Sequence, residues 1–289
     1  MSEGLRQSAL TDLDGLRARH PQMFEAPLKN GAPTIGVALL LVALFILGVV
    51  RLEVTPLQIL NGLGQLGTFV QFMLPPMAKS WAQAWLFLQA LAETVAIALL
   101  GTLLAATFAF PFGFLSARNA TINRVVQFIS RRFLDSIRGV DTLIWALIWV
   151  NVVGLGPFAG VLAIMTADVG SFGKIFSEAI EAADRKPVEG IVASGGSRLH
   201  EIRFGLIPQV LPVMLGQILY FFESNTRSAT IIGIVGAGGI GLHLSEQIRT
   251  LEWQSVSFIV LMILVLVAII DFLSGQLRFA IIGNRSTAV

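Results

Sequence analysis

The chain has 289 residues, of which 55% are apolar before its 28 glycines are counted, and only 13% are charged. With a mean hydropathy of +0.77, it lacks the polar surface of a soluble chain, where about 25% of residues are charged, and it is too apolar for disorder. Its net charge of +2 gives no reason to expect a nucleic-acid partner, and the absence of cysteine excludes disulfides, thiolate metal sites and cysteine nucleophiles.

Crossing a bilayer takes about 20 mostly apolar residues. The first such run, Asn30–Val50, lies without a charge between Lys29 and Arg51. A cleavable signal would have a short basic start and a shorter apolar core. Here a long polar lead with Glu3, Arg6, Asp12, Asp14, Arg17 and Arg19 points to a retained helix. A second span runs from about Trp85 to Ala117, with Pro111 and Gly113 positioned to kink its last third. The charge-free run from Thr142 is interrupted by Gly154-Leu-Gly156-Pro157, a turn signal. This divides it into a third span ending near Val153 and a fourth beginning near Phe158. The fourth carries Asp168 and Lys174, so its lower part is expected to face protein or water.

A polar stretch, Glu178–Arg203, precedes a fifth span from about Leu206 to Val235, crossed by Pro208, Pro212, Glu223, Asn225 and Arg227. The last span, Ser255–Ile270, closes with Asp271 and Arg278. The reading is an all-α integral membrane protein of about six transmembrane helices. With the N-terminus placed in the cytoplasm, all Lys and Arg except Arg51, Lys79, Arg227 and Arg249 fall on the cytoplasmic side. That asymmetry is the positive-inside pattern, and it puts both termini in the cytoplasm.

Some motifs point elsewhere and fail on context. Gly236-Ala-Gly238-Gly-Ile-Gly241 fits G-x-G-x-x-G, but a dinucleotide site needs a βαβ unit that the remaining residues cannot supply. Glycines that let helices approach, or let backbone turn at membrane depth, explain it better. Gly173-Lys174 lacks the glycine and hydroxyl residue of a phosphate loop, since those positions hold Asp168 and Ile175. His20, His200 and His243 are too scattered for a metal cluster, and no nucleophile–base set suggests a membrane enzyme.

Glu189 through Gly195, followed by Pro208, keeps the glutamate, glycine and proline of the cytoplasmic loop motif E-A-A, three residues, G, nine residues, I, one residue, L-P. The earlier Glu181-Ala-Ala183 fails that register, because its glycine position is Pro187. Together with Gly154-Leu-Gly-Pro157-Phe-Ala-Gly160, Leu206-Ile-Pro208-Gln-Val-Leu-Pro212, Asn225-Thr-Arg227-Ser-Ala-Thr-Ile-Ile-Gly233, Gly236–Gly241 and Ile270-Asp271, the order of these motifs resembles a type I ABC importer permease. The resemblance is strongest to the phosphonate permease family and covers about Leu91–Arg278. The loop departs from the generic motif where Gly190 and Ile191 replace its alanines, Gly205 its isoleucine and Ile207 its leucine.

Physically, Pro187 suits the first turn of a short helix and Glu189 its positive end. Val188, Ile191 and Val192 give that helix an apolar side, Gly195-Gly196 stop it, and Ser197 is placed to cap the next helix, with Glu201 near its start. The resemblance makes this the coupling helix to an ATPase, with Glu189, Gly190, Gly195, Ser197 and Pro208 as its residues. It divides the chain into a cytoplasmic segment 1–29, a first helix and external loop 30–84, a permease core 85–283 with coupling loop about 184–205, and a cytoplasmic tail 284–289.

Glu223 and Arg227 share one helix face. Arg227 and Asn225 either border a conduit for an anionic phosphonate, or Glu223–Arg227 is a structural pair, or Arg227 meets an external binding protein. With Gly236, Gly238 and Gly239 these are the candidate pathway or gate residues. Glu93 and Asp271 read as helix-packing or interfacial partners, and the arginines Arg118–Arg138 as topology signals with anionic lipid contacts as a further role.

The resemblance implies an importer of phosphonates or related phosphorus oxyanions in a bacterial inner membrane. It implies a second copy of the chain, two ATPase subunits that bind ATP and Mg, an external substrate-binding protein and membrane lipid, with no cofactor, metal or catalytic residue in this chain. The alternatives are an ABC permease for another small solute and an ion-coupled secondary transporter using Glu93, Asp168, Glu223 or Asp271. The second would usually show paired repeats with broken helices, and the sequence shows no such repeat.

Overall fold

A computed structural model describes Gly15 and residues 32–53, 55–121 and 123–282, as helices joined by short connections with no strand among the described residues. The chain divides into two compact units, residues 1–69 and 70–289. The expected terminal segments lie outside the described residues, Gly15 apart.

In the first unit, α1 (Ala32–Arg51) matches the first expected span. Helix α2 (Pro56–Met73) begins where an external loop is expected, so that expectation is corrected. The cause is local. Residues 54–78 carry no charge, and Thr55-Pro-Leu-Gln58 spells a helix start. The Thr55 N–H donates to Gln58 Oε1 at 3.0 Å and the Gln58 N–H to Thr55 Oγ1 at 3.3 Å, a capping box with proline at the first helical position.

The second unit opens with α3 (Trp81–Ser116), whose start is capped when the Gln83 N–H donates to Ser80 Oγ at 3.2 Å. At 36 residues it is about 54 Å long, and it runs on through Pro111 without a break. Next come α4 (Arg124–Arg138) and α5 (Thr142–Val153), bent from one another by 87°. The third expected span therefore needs correction. With 12 residues, α5 reaches about 18 Å, well short of the ~30 Å hydrocarbon layer. The arginine-rich segment before it is itself a helix.

After the expected break at Gly154–Pro157 come α6 (Pro157–Glu181) and α7 (Arg185–Ala193). A short turn, Arg198–His200, and a π-helical segment, Glu201–Leu206, lead into α8 (Ile207–Ile234). Helix α9 (Ile240–Arg249) and helix α10 (Trp253–Ile282) complete the unit. Among the described residues four stretches, α3, α6, Arg198–Ile234 and α10, are long and apolar enough to cross a membrane alone. The number rises to six if α1–α2 and α4–α5 each count as one bent span.

Helices in lipid gain little from burying apolar surface, so close approach of small residues drives their packing. Helix α3 buries Ala98, Thr102, Ala105, Ala109 and Gly113 at three- to four-residue spacing. Helix α6 meets it with Val161, Ile164, Phe176 and Ser177, while its Gly170 and Gly173 admit α4. A methyl group on Gly101 would stand 2.8 Å from Ile164, and one on Gly113 2.8 Å from Phe176. Larger side chains fill the spaces between crossings: Leu134, Phe172, Phe176 and Met214 in one cluster, Phe87, Ile240 and Ile259 in another. The outer faces of α3 and α10 expose Leu99, Leu103, Phe108, Leu264, Ile269 and Phe272, as a lipid-facing surface requires.

Candidate translocation and coupling sites

Asp184 caps the short helix α7, its side chain accepting from the Lys186 N–H at 3.1 Å, and Pro187 lies in the first turn. Gln209, at the start of α8, clamps this end. Its Oε1 accepts from the Asp184 N–H at 3.0 Å, while its Nε2 donates to the Asp184 carbonyl at 3.1 Å and to the Gly205 carbonyl at 2.7 Å. Val188 and Ile191 turn inward against Gly205, whose missing side chain leaves room for them. The other face, Arg185, Lys186, Glu189, Gly190, Val192 and Ala193, is exposed. Glu189 makes no hydrogen bond or ion pair among the described residues. Gly195 follows the helix, and Ser197 sits beside His200, with Oγ and Nδ1 2.8 Å apart. Arg198 pairs with Glu201 at 2.6 Å and donates to the Asn119 carbonyl at 2.6 Å, tying this loop to the end of α3. Pro208 is exposed in the first turn of α8.

The glycine motif forms the tight corner between α8 and α9. Gly236, Gly238 and Gly239 have φ of +98°, +84° and +73°, backbone that side chains with a Cβ rarely adopt. The corner packs onto the break between α5 and α6, where the Gly156 N–H donates to the Gly236 carbonyl at 2.9 Å. A methyl group on Gly238 would lie 2.7 Å from the Pro157 backbone. Glu93 Oε1 accepts from the Gly239 N–H at 2.9 Å, and Thr94 Oγ1 from the Ile240 N–H at 2.8 Å. Thus α3 caps the exposed N–H groups of α9, the packing role expected of Glu93. Ile231–Val235, strand-like in sequence, ends α8 as helix and turn.

In the middle of the bundle Asn225 is buried and donates through Nδ2 to Thr102 Oγ1 at 2.8 Å and to Asp168 Oδ2 at 2.5 Å. Three helices meet in this polar knot, and Asn225 points into it, away from Arg227. Glu223 instead holds two cations. Arg227 and Arg278 each approach a different oxygen of its carboxylate at 3.3 Å. The Glu223 side chain is 11% exposed and that of Arg227 48%. Arg278, expected at the cytoplasmic close of the last span, belongs to this cluster on α10. Nothing in the local sequence near position 278 announces a partner 55 residues earlier. Asp271 is exposed and makes no ion pair among the described residues.

A helical bundle with apolar outer faces, a buried interhelical polar knot and a short exposed helix is the build of a multi-pass membrane protein. Residues 109–282 match the family described as the binding-protein-dependent transport system inner membrane component, and the chain belongs to that family as a membrane-spanning permease. It is 40% identical over 224 residues to the putative phosphite transport system permease protein HtxC of Stutzerimonas stutzeri, covering 78% of each chain. Over 117 residues it is 48% identical to the putative cryptic phosphonate transport system permease protein PhnE2 of Escherichia coli (strain K12), covering 40% of this chain and 96% of that one. The fold resembles that of the inward-facing MetNI methionine ABC transporter at a TM-score of 0.62 and 18% identity, over 70% of this chain and 99% of that one.

Proposed function

We propose that this chain forms the translocation pathway of an ATP-driven importer for phosphonates, phosphite or related small phosphorus oxyanions. It pairs with a second copy of itself, two cytoplasmic ATPase subunits and an external substrate-binding protein, in a bacterial inner membrane with both termini in the cytoplasm. ATP and Mg are held by the ATPase subunits, and this chain carries no chemistry. The substrate class is supported by relatives named for phosphite and phosphonate transport.

The observation that carries the coupling role is α7. It is clamped at one end by Gln209 and offers Glu189 and its exposed face to a partner. Closure of the ATPase pair on ATP moves this helix as a rigid body and switches the pathway between its two openings. Arg227 is the pathway-facing member of the cluster in α8; Glu223 and Asn225 hold its helix in place, and the corner at Gly236, Gly238 and Gly239 is the gate element.

Copurification tests this reading. Glu189→Lys and Gly190→Leu, the latter at an exposed helical position with nothing within 4 Å of an added side chain, should each weaken recovery of the ATPase subunit at least about tenfold, the equivalent of about 1.4 kcal/mol of interface energy, while the permease keeps its yield and thermal stability. Full recovery of the ATPase with both variants refutes the coupling role. For the substrate class, ATPase stimulation with the cognate binding protein is measured over a panel of phosphonates, phosphite and phosphate esters. Stimulation by an unrelated solute alone refutes it.

A further inference from the structure

Helix α4 is not explained by a pathway or by coupling. One of its sides is buried: Leu134 packs into the gap left by Gly173, and the α4 backbone passes so close to Gly170 that a methyl group there would stand 2.7 Å from the Leu134 carbonyl. Another side is apolar yet exposed. Val125, Phe128, Ile129 and Phe133 are 63%, 64%, 59% and 48% accessible. Arg124, Arg131 and Arg138 run along one edge of this side. Arg132 lies within it, over the Phe128 ring at 5.6 Å and paired with Asp135 at 3.2 Å, and Arg138 reaches the same carboxylate at 3.8 Å.

At the helix start, Arg118, Thr121, Asn123, Arg124 and Gln127 line a cavity of about 370 Å³ that contains no carboxylate. The guanidinium groups of Arg118 and Arg124 have no hydrogen-bonding or ion-pair partner among the described residues. The 87° bend to the apolar α5 turns α4 across the direction of that helix. A helix with an apolar face, a cationic edge and this orientation matches one lying in the membrane–water interface.

We propose that α4 is an interfacial helix that binds the anionic lipids of the leaflet it lies in. Val125, Phe128, Ile129 and Phe133 enter the acyl boundary, and Arg118 and Arg124 hold lipid phosphate at the carboxylate-free cavity. Membrane anchorage of α4 also fixes Glu181, the last residue of α6, because Arg131 of α4 binds its carboxylate at 2.5 Å, and the coupling helix follows within four residues.

The chain contains no cysteine, so Ile129→Cys in the assembled importer supplies a single reporter in this subunit. In vesicles of phosphatidylcholine with phosphatidylglycerol, a water-soluble thiol reagent should label it at least about tenfold more slowly than after unfolding in SDS, as burial in the headgroup–acyl boundary requires. Labelling at the unfolded rate overturns the proposal. So does protection in lipid-free detergent that appears only with the ATPase bound, since a protein then covers the face.

Lipid selectivity is read separately by native mass spectrometry of the importer released from nanodiscs. The wild type should retain phosphatidylglycerol over phosphatidylcholine. Arg118→Gln with Arg124→Gln should lower that ratio by about fivefold per arginine, with the elution volume of the complex unchanged as the folding control. Equal retention of the two lipids by the wild type, or an unchanged ratio in the double variant, overturns the anionic-lipid site.

Discussion

Asn225 joins α8 to both α3 and α6, and Asn225→Ala removes that junction without a change of backbone. Two interhelical hydrogen bonds disappear, each worth about 0.6 kcal/mol among membrane helices. Asp168 is then left buried with no side-chain donor in place of Asn225, a penalty of about 1–3 kcal/mol. The expected loss is therefore about 2–4 kcal/mol. Asp168→Ala removes the group that is costly to strand and should lose only about 1 kcal/mol.

If the two residues act as one unit, the double variant strands no carboxylate and should lose only about 1–2 kcal/mol, less than Asn225→Ala alone, a coupling energy of about 2–3 kcal/mol. The measurement is reversible unfolding in mixed micelles titrated with SDS, followed by tryptophan fluorescence. Single losses that add to within about 0.5 kcal/mol would show that Asn225 and Asp168 contribute independently and would refute the polar knot as a cooperative lock.

Two further outcomes follow from the geometry. Gly241→Ala places a methyl group 2.0 Å from the Thr230 carbonyl and 2.9 Å from Gly233 Cα, so it should cost at least about 3 kcal/mol in the same unfolding assay, whereas Gly275→Ala, with nothing within 4 Å of the added methyl, should be neutral or stabilising by about 0.5–1 kcal/mol. Arg227→Gln should change stability little, because Arg278 still neutralises Glu223, yet lower uptake at limiting substrate; Arg227→Gln with Arg278→Gln leaves the carboxylate unpaired and should cost about 3–5 kcal/mol. Unchanged uptake by the single variant would refute the pathway role, and a double variant as stable as the single would refute the cluster.

The spans that the charge-free runs mark are present as helices, and the break at Gly154–Pro157 falls where the glycine and proline spacing puts it. These features are legible because hydropathy and turn chemistry are local: about 20 residues suffice to register a span, and a few to mark a turn. The capping box at Thr55–Gln58 is equally local. Its residues name the start of α2, within a run of 25 uncharged residues, 54–78, long enough for a helix. The arginine pattern Arg124–Arg138 also contains the spacing of an amphipathic helix, which counting cations for topology conceals.

Composition and the order of charge-free runs were enough to establish a multi-helix membrane protein, and the loop motif at Glu189–Gly195 with its neighbouring motifs carried the resemblance to a permease, because each depends on residues close together in the chain. Which polar side chains meet could come only from the tertiary structure. Asn225 and Arg227 stand two positions apart, yet one faces Asp168 and Thr102 while the other shares Glu223 with Arg278. Residues two apart on a helix point about 200° away from each other, so their partners depend on how α3, α6 and α10 are arranged around α8. The glycines at 236–239 divide in the same way: the motif announces a turn, but only packing decides that Pro157, Glu93 and Thr94 close over it.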